Sequence, residues 1–320
     1  ITGGTGFFGR NFADYIYKKF KLKKIIIFSR DEAKQYTLKN DFDRKGYKNI
    51  KFFLGDVRDL ERLKMAFRDV DYVVHAAALK HVPATEYNPQ ECVKTNIYGA
   101  QNIIDASIYC NVKKIIALST DKAVNPINIY GASKLASDKL FIAANNLVGS
   151  QKTRFSLVRY GNVFESRGSV IPFFKELKDK KFKYFPVTHP KMTRFFIKID
   201  EGIDFVLNSF KIMNGGEIFV PKLPSIKIVD IAKAIDPKKS IKFTGIRPGE
   251  KIHESLCPSD MSHLTINFKK YYVIHSSTNI LSRKNRILKN SLGEKGSKVR
   301  EDFEYKSDKN PNFLNIKQIK

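Results

Sequence analysis

The chain has 320 residues, 42% hydrophobic and 28% charged, with a formal net charge of +26. This reads as a soluble globular protein, since no apolar run reaches membrane-spanning length and neither a secretory nor a lipidation signal is visible. The positive charge is spread from Lys18 to Lys320 without interleaved aromatics, which argues against a specific nucleic-acid surface but suits a diphosphate-bearing ligand.

The sequence opens at Ile1-Thr2-Gly3, the end of a strand followed by a glycine turn. The first strand is thus largely missing from the chain as given, and unpaired ladder groups are expected on both its neighbours. Thr2-Gly3-Gly4-Thr5-Gly6-Phe7-Phe8-Gly9 spaces glycines by three and enters an amphipathic helix through Phe12, Ile16 and Tyr17. Gly3 suits the tight turn, Gly6 close approach to a pyrophosphate, and Gly9 close packing of helix on strand. The helix start at Phe7 and Phe8 offers free N–H groups to the phosphates.

Short β-branched runs follow at 24–28, 50–54, 71–75, 114–118 and 155–159, separated by helix-length segments such as 100–110. That rhythm predicts an α/β fold: a Rossmann-type doubly wound parallel sheet covered on both faces. Residues just past the strands are the cofactor candidates. Ser29 and Arg30 suit the extra 2′-phosphate of NADP, although Asp31 leaves NAD open. Asp56 and Val57 are placed to meet the adenine, and Ala76, Ala77 and Ala78 supply small side chains where a dinucleotide crosses the sheet edge.

The strand at 114–118 runs into Ser119-Thr120-Asp121-Lys122, and Tyr130 stands four residues before Lys134. On a helix, Tyr130 and Lys134 share a face. A phenol of ordinary pKa near 10 is a poor base, and a neighbouring ammonium would favour its phenolate. Thr120 can orient the hydroxyl that Tyr130 deprotonates. A simple alcohol dehydrogenase needs neither Asp121 nor Lys122. A reaction that also removes a carbon-bound proton and expels a hydroxyl needs both a base and an acid.

After Gly161 the rhythm loosens, and prolines break the chain into short units. The expected organisation is an NADP-binding region over 1–160, a smaller, mainly substrate-binding region over 161–290, and a polar tail over 291–320. Cys92, Cys110 and Cys257 have neither paired nor metal-ligand spacing. No metal is expected, and a reducing cytoplasm is.

At these motifs the chain resembles the inverting UDP-N-acetylglucosamine 4,6-dehydratases, the pseudaminic-acid branch of the extended short-chain dehydrogenase/reductases. The likeness rests on TGGTGFFG at 2–9, HAAALKHVP at 75–83, STDKAVNPINIYGASK at 119–134, RYGNVFESRGSVIPFF at 159–174 and RPGEKIHE at 247–254. The Asp-Lys pair carries most weight, since retaining dehydratases typically hold Asp-Glu there. The resemblance implies NADP as cofactor, UDP-N-acetylglucosamine as substrate and a homo-oligomer. It also implies that Tyr130 takes the C4 hydroxyl proton, Lys122 the C5 proton, and Asp121 helps protonate the departing C6 hydroxyl. Lys80, His81, Asn162, Ser169 and Val170 would line the sugar side, with Arg194 near uridine, Arg247 near the diphosphate and Glu250 at the ribose. Phe164-Glu165 and His189-Pro190-Lys191 depart from the family pattern; Phe164 either narrows the substrate side or packs. The competing readings are a dehydratase/5-epimerase of capsule-sugar synthesis, a simple C4 epimerase and a catalytically silent NADP-binding scaffold.

Overall fold

The computed structural model describes residues 1–166, 168–277 and 288–319. Arg167 of the 159–174 motif and residues 278–287 of the expected second region lie outside it. Strands β1 (Ile25–Ser29), β2 (Ile50–Leu54), β3 (Tyr72–His75), β4 (Lys114–Thr120) and β5 (Arg154–Tyr160) fall within two residues of the sequence expectation. β1 pairs with β2, β3 with β4, and β4 with β5, all in parallel. Between β1 and β3 lie Ile1 and Thr2. Thr2 bridges to both Phe28 and His75, donates its N–H to Val74 O at 3.0 Å and accepts from Ala76 N at 3.2 Å. Its hydroxyl meets buried His75 Nδ1 at 2.7 Å.

β6 (Asn162–Val163), β7 (Tyr184–Val187), β8 (Thr193–Ile197) and β9 (Ile218–Pro221) follow. β9 returns to extend the main sheet beside β5 in parallel, and Tyr271–Ile274 then adds to it antiparallel. β6 runs parallel to β8 in a separate small sheet. The main apolar cluster packs about the large sheet, and a smaller one gathers Phe174, Phe185, Phe196 and Ile231. Phe164 packs on Phe196, with ring centres 4.9 Å apart and planes tilted by 40°, so it packs rather than narrows the cleft. Glu165 pairs with Lys175 at 2.6 Å on the surface. The polar stretch after Ser291 is bound into the fold. Tyr305 is buried, and its hydroxyl bridges Leu223 N and O at 2.7 and 2.9 Å.

The helix Phe7–Lys19 buries Gly9, Phe12, Ala13 and Ile16, whereas Tyr17 of the expected stripe is only half-buried. The helix Ile129–Ala143 is different, because its buried face includes Ser133, Lys134, Ser137 and Asp138. Asn128 caps its start, accepting from Gly131 N at 2.7 Å. Asp138 Oδ2 accepts from Ser119 Oγ at 2.5 Å and from Arg159 Nη2 at 3.1 Å. Arg159 Nη1 donates onward to Leu256 O at 3.2 Å. Both charged side chains are only 1% exposed.

A buried ion pair is fragile to the loss of one partner. Asp138→Ala should lower unfolding free energy by about 3–5 kcal/mol, whereas Asp138→Leu with Arg159→Met should cost clearly less. Urea denaturation checks both, and equal losses for the two variants would refute the pairing as the cause.

Candidate active site

A cleft of about 1050 Å³ runs along the C-terminal ends of the parallel strands, where open α/β sheets place their ligands. Every residue expected in the cofactor and substrate sets lines it. Of the residues expected at the chemical step, Thr120, Lys122, Tyr130 and Lys134 line it and Asp121 does not.

The glycine loop forms one end. Gly3 has φ +64°, and a Cβ there would lie 2.7 Å from Ala77 N. A Cβ on Gly9 would lie 2.6 Å from Gly3 O, so helix and loop pack backbone to backbone. No side chain caps the helix that follows, which leaves its first N–H groups to the cleft. A dinucleotide fits this half: the loop carries no side chain that would block it, and Ala76–Ala78 face it with methyl groups only. The loop beyond Ala78 is fixed by Asn96, which accepts from Leu79 N at 2.8 Å and donates to Leu79 O at 2.9 Å. Asn96 also donates to Ser133 Oγ at 2.9 Å, and Ser133 donates to Tyr130 O at 2.8 Å. It sits in a π-helical turn, Lys94–Tyr98, where Gly99 N donates to Lys94 O five residues back. No local pattern in the Lys94–Gly99 stretch marks Asn96 as part of the site.

At the end of β1, Arg30 is half-exposed and stands 3.6 Å from Asp56 Oδ2. Asp31 is engaged elsewhere. It caps the helix Glu32–Arg44 through Lys34 N at 2.9 Å and pairs with Lys34 Nζ at 2.5 Å. Those bonds hold its carboxyl below the usual range.

The chemical half hangs from the end of β4. Thr120 Oγ1 donates to Asp121 Oδ1 at 3.0 Å and accepts from Lys122 N at 3.3 Å. Lys122 Nζ lies 2.9 Å from Asp121 Oδ1 and donates to Asn162 Oδ1 at 3.3 Å. Asp121 is fully buried behind this wall, and its Oδ2 has no hydrogen-bond partner among the described residues. Burial pushes the Tyr130 phenol up, and its hydrogen bond with Thr120 works the other way. Burial lowers the Lys134 ammonium, with Asp138 opposing. His75, beneath, is held neutral by burial and by the Lys134 charge, at about 3. Burial, rather than a neighbouring ammonium, is therefore the chief influence on Tyr130 in this state. Desolvation and then Lys122 lower Lys80.

On the substrate side Glu250 accepts from Thr188 Oγ1 at 3.0 Å, and Arg247 is exposed on the cleft. The Arg194 guanidinium faces inward. It donates to Thr193 O at 2.7 Å, Ile252 O at 3.0 Å and Lys251 O at 2.7 Å, which fastens the 251–252 backbone to β8. Asn128 Nδ2 donates to Gly249 O at 2.8 Å, and Lys251 Nζ to Val124 O at 2.6 Å. Another buried carboxyl, Glu254, does line the cleft. Its only signal in the sequence was its place at the end of RPGEKIHE.

A family model described as polysaccharide biosynthesis protein matches residues 1–276. The whole chain is 54% identical to a UDP-N-acetylglucosamine 4,6-dehydratase (inverting) of Campylobacter jejuni subsp. jejuni, covering 95% of that protein. It is 40% identical to a UDP-glucose 4-epimerase of Rickettsia bellii, again over the whole chain and 94% of the relative. The X-ray structure of Pen from Bacillus thuringiensis superposes with a TM-score of 0.88 at 34% identity, covering 99% of this chain and 94% of that one. The chain belongs to the polysaccharide biosynthesis protein family.

Proposed function

We propose that the protein is an NADP-dependent, C5-inverting UDP-N-acetylglucosamine 4,6-dehydratase. Its product would be UDP-2-acetamido-2,6-dideoxy-β-L-arabino-hexos-4-ulose. The observation that carries the reading is Lys122 Nζ, on the cleft wall 2.9 Å from a buried carboxyl and beside Thr120. Oxidation at C4 alone, as in an epimerase, has no use for that pair.

A bound nicotinamide dinucleotide supplies the acceptor for the C4 hydride and the donor that returns it to C6. Tyr130 takes the C4 hydroxyl proton, and Thr120 orients that hydroxyl. The resulting ketone acidifies the C5 proton, which Lys122 removes as the C6 hydroxyl leaves as water. Asp121 does not line the cleft itself, and in this reading it helps protonate the departing C6 hydroxyl by way of the Thr120 hydroxyl. Reprotonation of C5 on the opposite face gives inversion. NADP is preferred over NAD in this reading, because Asp31 is engaged by Lys34 while Arg30 and Lys34 line the cleft beside Ser29. The reading also implies a homo-oligomer serving pseudaminic-acid-type glycan synthesis in the cytoplasm. Its three unpaired thiols suit a reducing compartment.

Hydride is returned to the same sugar, so substoichiometric NADP should support many turnovers with no free NADPH accumulating. Production of NADPH in step with substrate loss would show a true dehydrogenase instead, and NMR of the product separates inversion from further epimerisation. Lys122→Met should retain enzyme-bound NADPH formation in a single turnover but lose dehydration by about 10²–10⁴-fold. Tyr130→Phe should block the earlier oxidation.

Arg30→Ala tests the cofactor. Its half-exposed guanidinium should contribute about 1 kcal/mol to NADP over NAD, so the preference should fall several-fold. Fluorescence titration with both dinucleotides measures it, and an unchanged ratio would remove Arg30 from the 2′-phosphate.

A further inference from the structure

The RPGEKIHE run does more than present Arg247 and Glu250 to the cleft. Its last residue, Glu254, is 3% exposed, and its Oε2 accepts no hydrogen bond among the described residues. Basic side chains from three separate segments converge on it. Lys122 Nζ lies 3.6 Å from Oε1, Arg194 Nε 3.8 Å from Oε1, and Lys251 Nζ 3.7 Å from Oε2. Its backbone is fixed too: Glu254 N donates to Ser307 Oγ at 2.9 Å and Glu254 O accepts from Ser307 N at 2.8 Å. A carboxyl this enclosed is costly to keep unless its charge is matched. Arg194 is largely committed to backbone carbonyls, and Lys251 to Val124 O. Lys122 is the one of the three that stands at the proposed point of chemistry.

We infer that Glu254 is a positioning residue for the dehydration step, drawing Lys122 Nζ off its Asp121 anchor towards the substrate and balancing the charge Lys122 gains with the C5 proton. Asp121 holds the amine from behind, at 2.9 Å. With Asp121 alone the amine would be drawn back to the wall. Glu254 and Asn162 hold it from other directions, at 3.6 and 3.3 Å. When the C5–H bond breaks, its electron pair stays with the sugar and its proton goes to Nζ. The new ammonium then lies between two carboxyls in a water-poor site, where fixed charges act strongly and need little reorganisation. Oxidation at C4 involves Tyr130 and Thr120, so Glu254 should leave that step untouched.

The inference rests on Lys122 being the C5 base, and the experiment separates the two claims. The full chain, with NADP and UDP-N-acetylglucosamine in deuterium oxide, is followed by single-turnover absorbance for bound NADPH and by NMR for deuterium at C5. Wild type, Glu254→Asp, Glu254→Gln and Lys122→Met are compared. All four should form bound NADPH in a burst of the same initial rate, which should then decay in wild type as hydride returns to C6 but persist where dehydration is blocked. Exchange at C5 should fall from wild type through the aspartate to the glutamine variant, which loses about 100-fold, the scale of an ångström-sized misplacement. A glutamine that merely loosened the fold would lower burst and exchange together, and that result overturns the inference. Full exchange in Glu254→Gln with none in Lys122→Met overturns it alone, leaving the base assignment standing. Full exchange in Lys122→Met overturns both. Should Glu254→Gln not fold, the aspartate variant decides by the same criteria: a normal burst with reduced exchange supports the inference, and wild-type exchange refutes it.

Discussion

The site depends on one buried contact, the ion pair between Asp138 and Arg159. Its two side chains come from the helix Ile129–Ala143 and from β5, and a second bond to Asp138 brings in Ser119 on β4. Thr120 is the next residue along that strand, and Tyr130 and Lys134 lie on that helix. The distance between the tyrosine–lysine face and the strand-end turn is therefore set by charges that cannot move apart without being stranded in an apolar interior. Arg159 also reaches Leu256 O, so the chain just beyond Glu254 is tied to the same point.

Around the cleft, charge is distributed in depth. Lys134 lies deep, above neutral His75 and beside Asp138, and Lys122 stands at the wall between Asp121 and Glu254. Arg30 and Lys34 line the cleft near the end of β1, and Arg247 lines its mouth. The overall excess of lysine says little about this arrangement. What matters is that the inner basic groups share buried carboxyls, Asp138 beside Arg159 and Lys134 and Glu254 beside Lys122, Arg194 and Lys251, while Arg247 at the mouth is exposed.

Much of this was legible in the sequence because it is local. The glycine spacing at Gly3, Gly6 and Gly9, the five β-branched runs and the four-residue step from Tyr130 to Lys134 are all short-range patterns with a direct geometric meaning. The interior position of Asp121 was not legible, since strand-end residues alternate between exposure and burial on details of the turn. Glu254, Asn96 and the Asp138–Arg159 pair were missed for another reason. Each acts on residues remote in the chain, and no local pattern distinguishes such a carboxyl or amide from a solvated one. Arg194 shows the converse. The resemblance places it near uridine; it lines the cleft, while three of its donor bonds go to backbone carbonyls that no local pattern reveals.

The π-helical turn at Lys94–Tyr98 carries a consequence for the length of the chain. An α-helix advances about 100° per residue, and the wider turn puts Pro89–Val93 and Gly99–Tyr109 out of phase by one residue. Both stretches bury a face: Cys92 before the turn, and Ala100, Ile103 and Ile104 after it. Deleting a single residue within the turn would let it close into ordinary α-helix, but would rotate one face away from its partners. Asn96 would then release the loop that follows Ala78, or Ile103 would leave the sheet. The number of residues in this turn is thus constrained as firmly as the identity of any side chain in it, and a deletion there should be less tolerated than most substitutions.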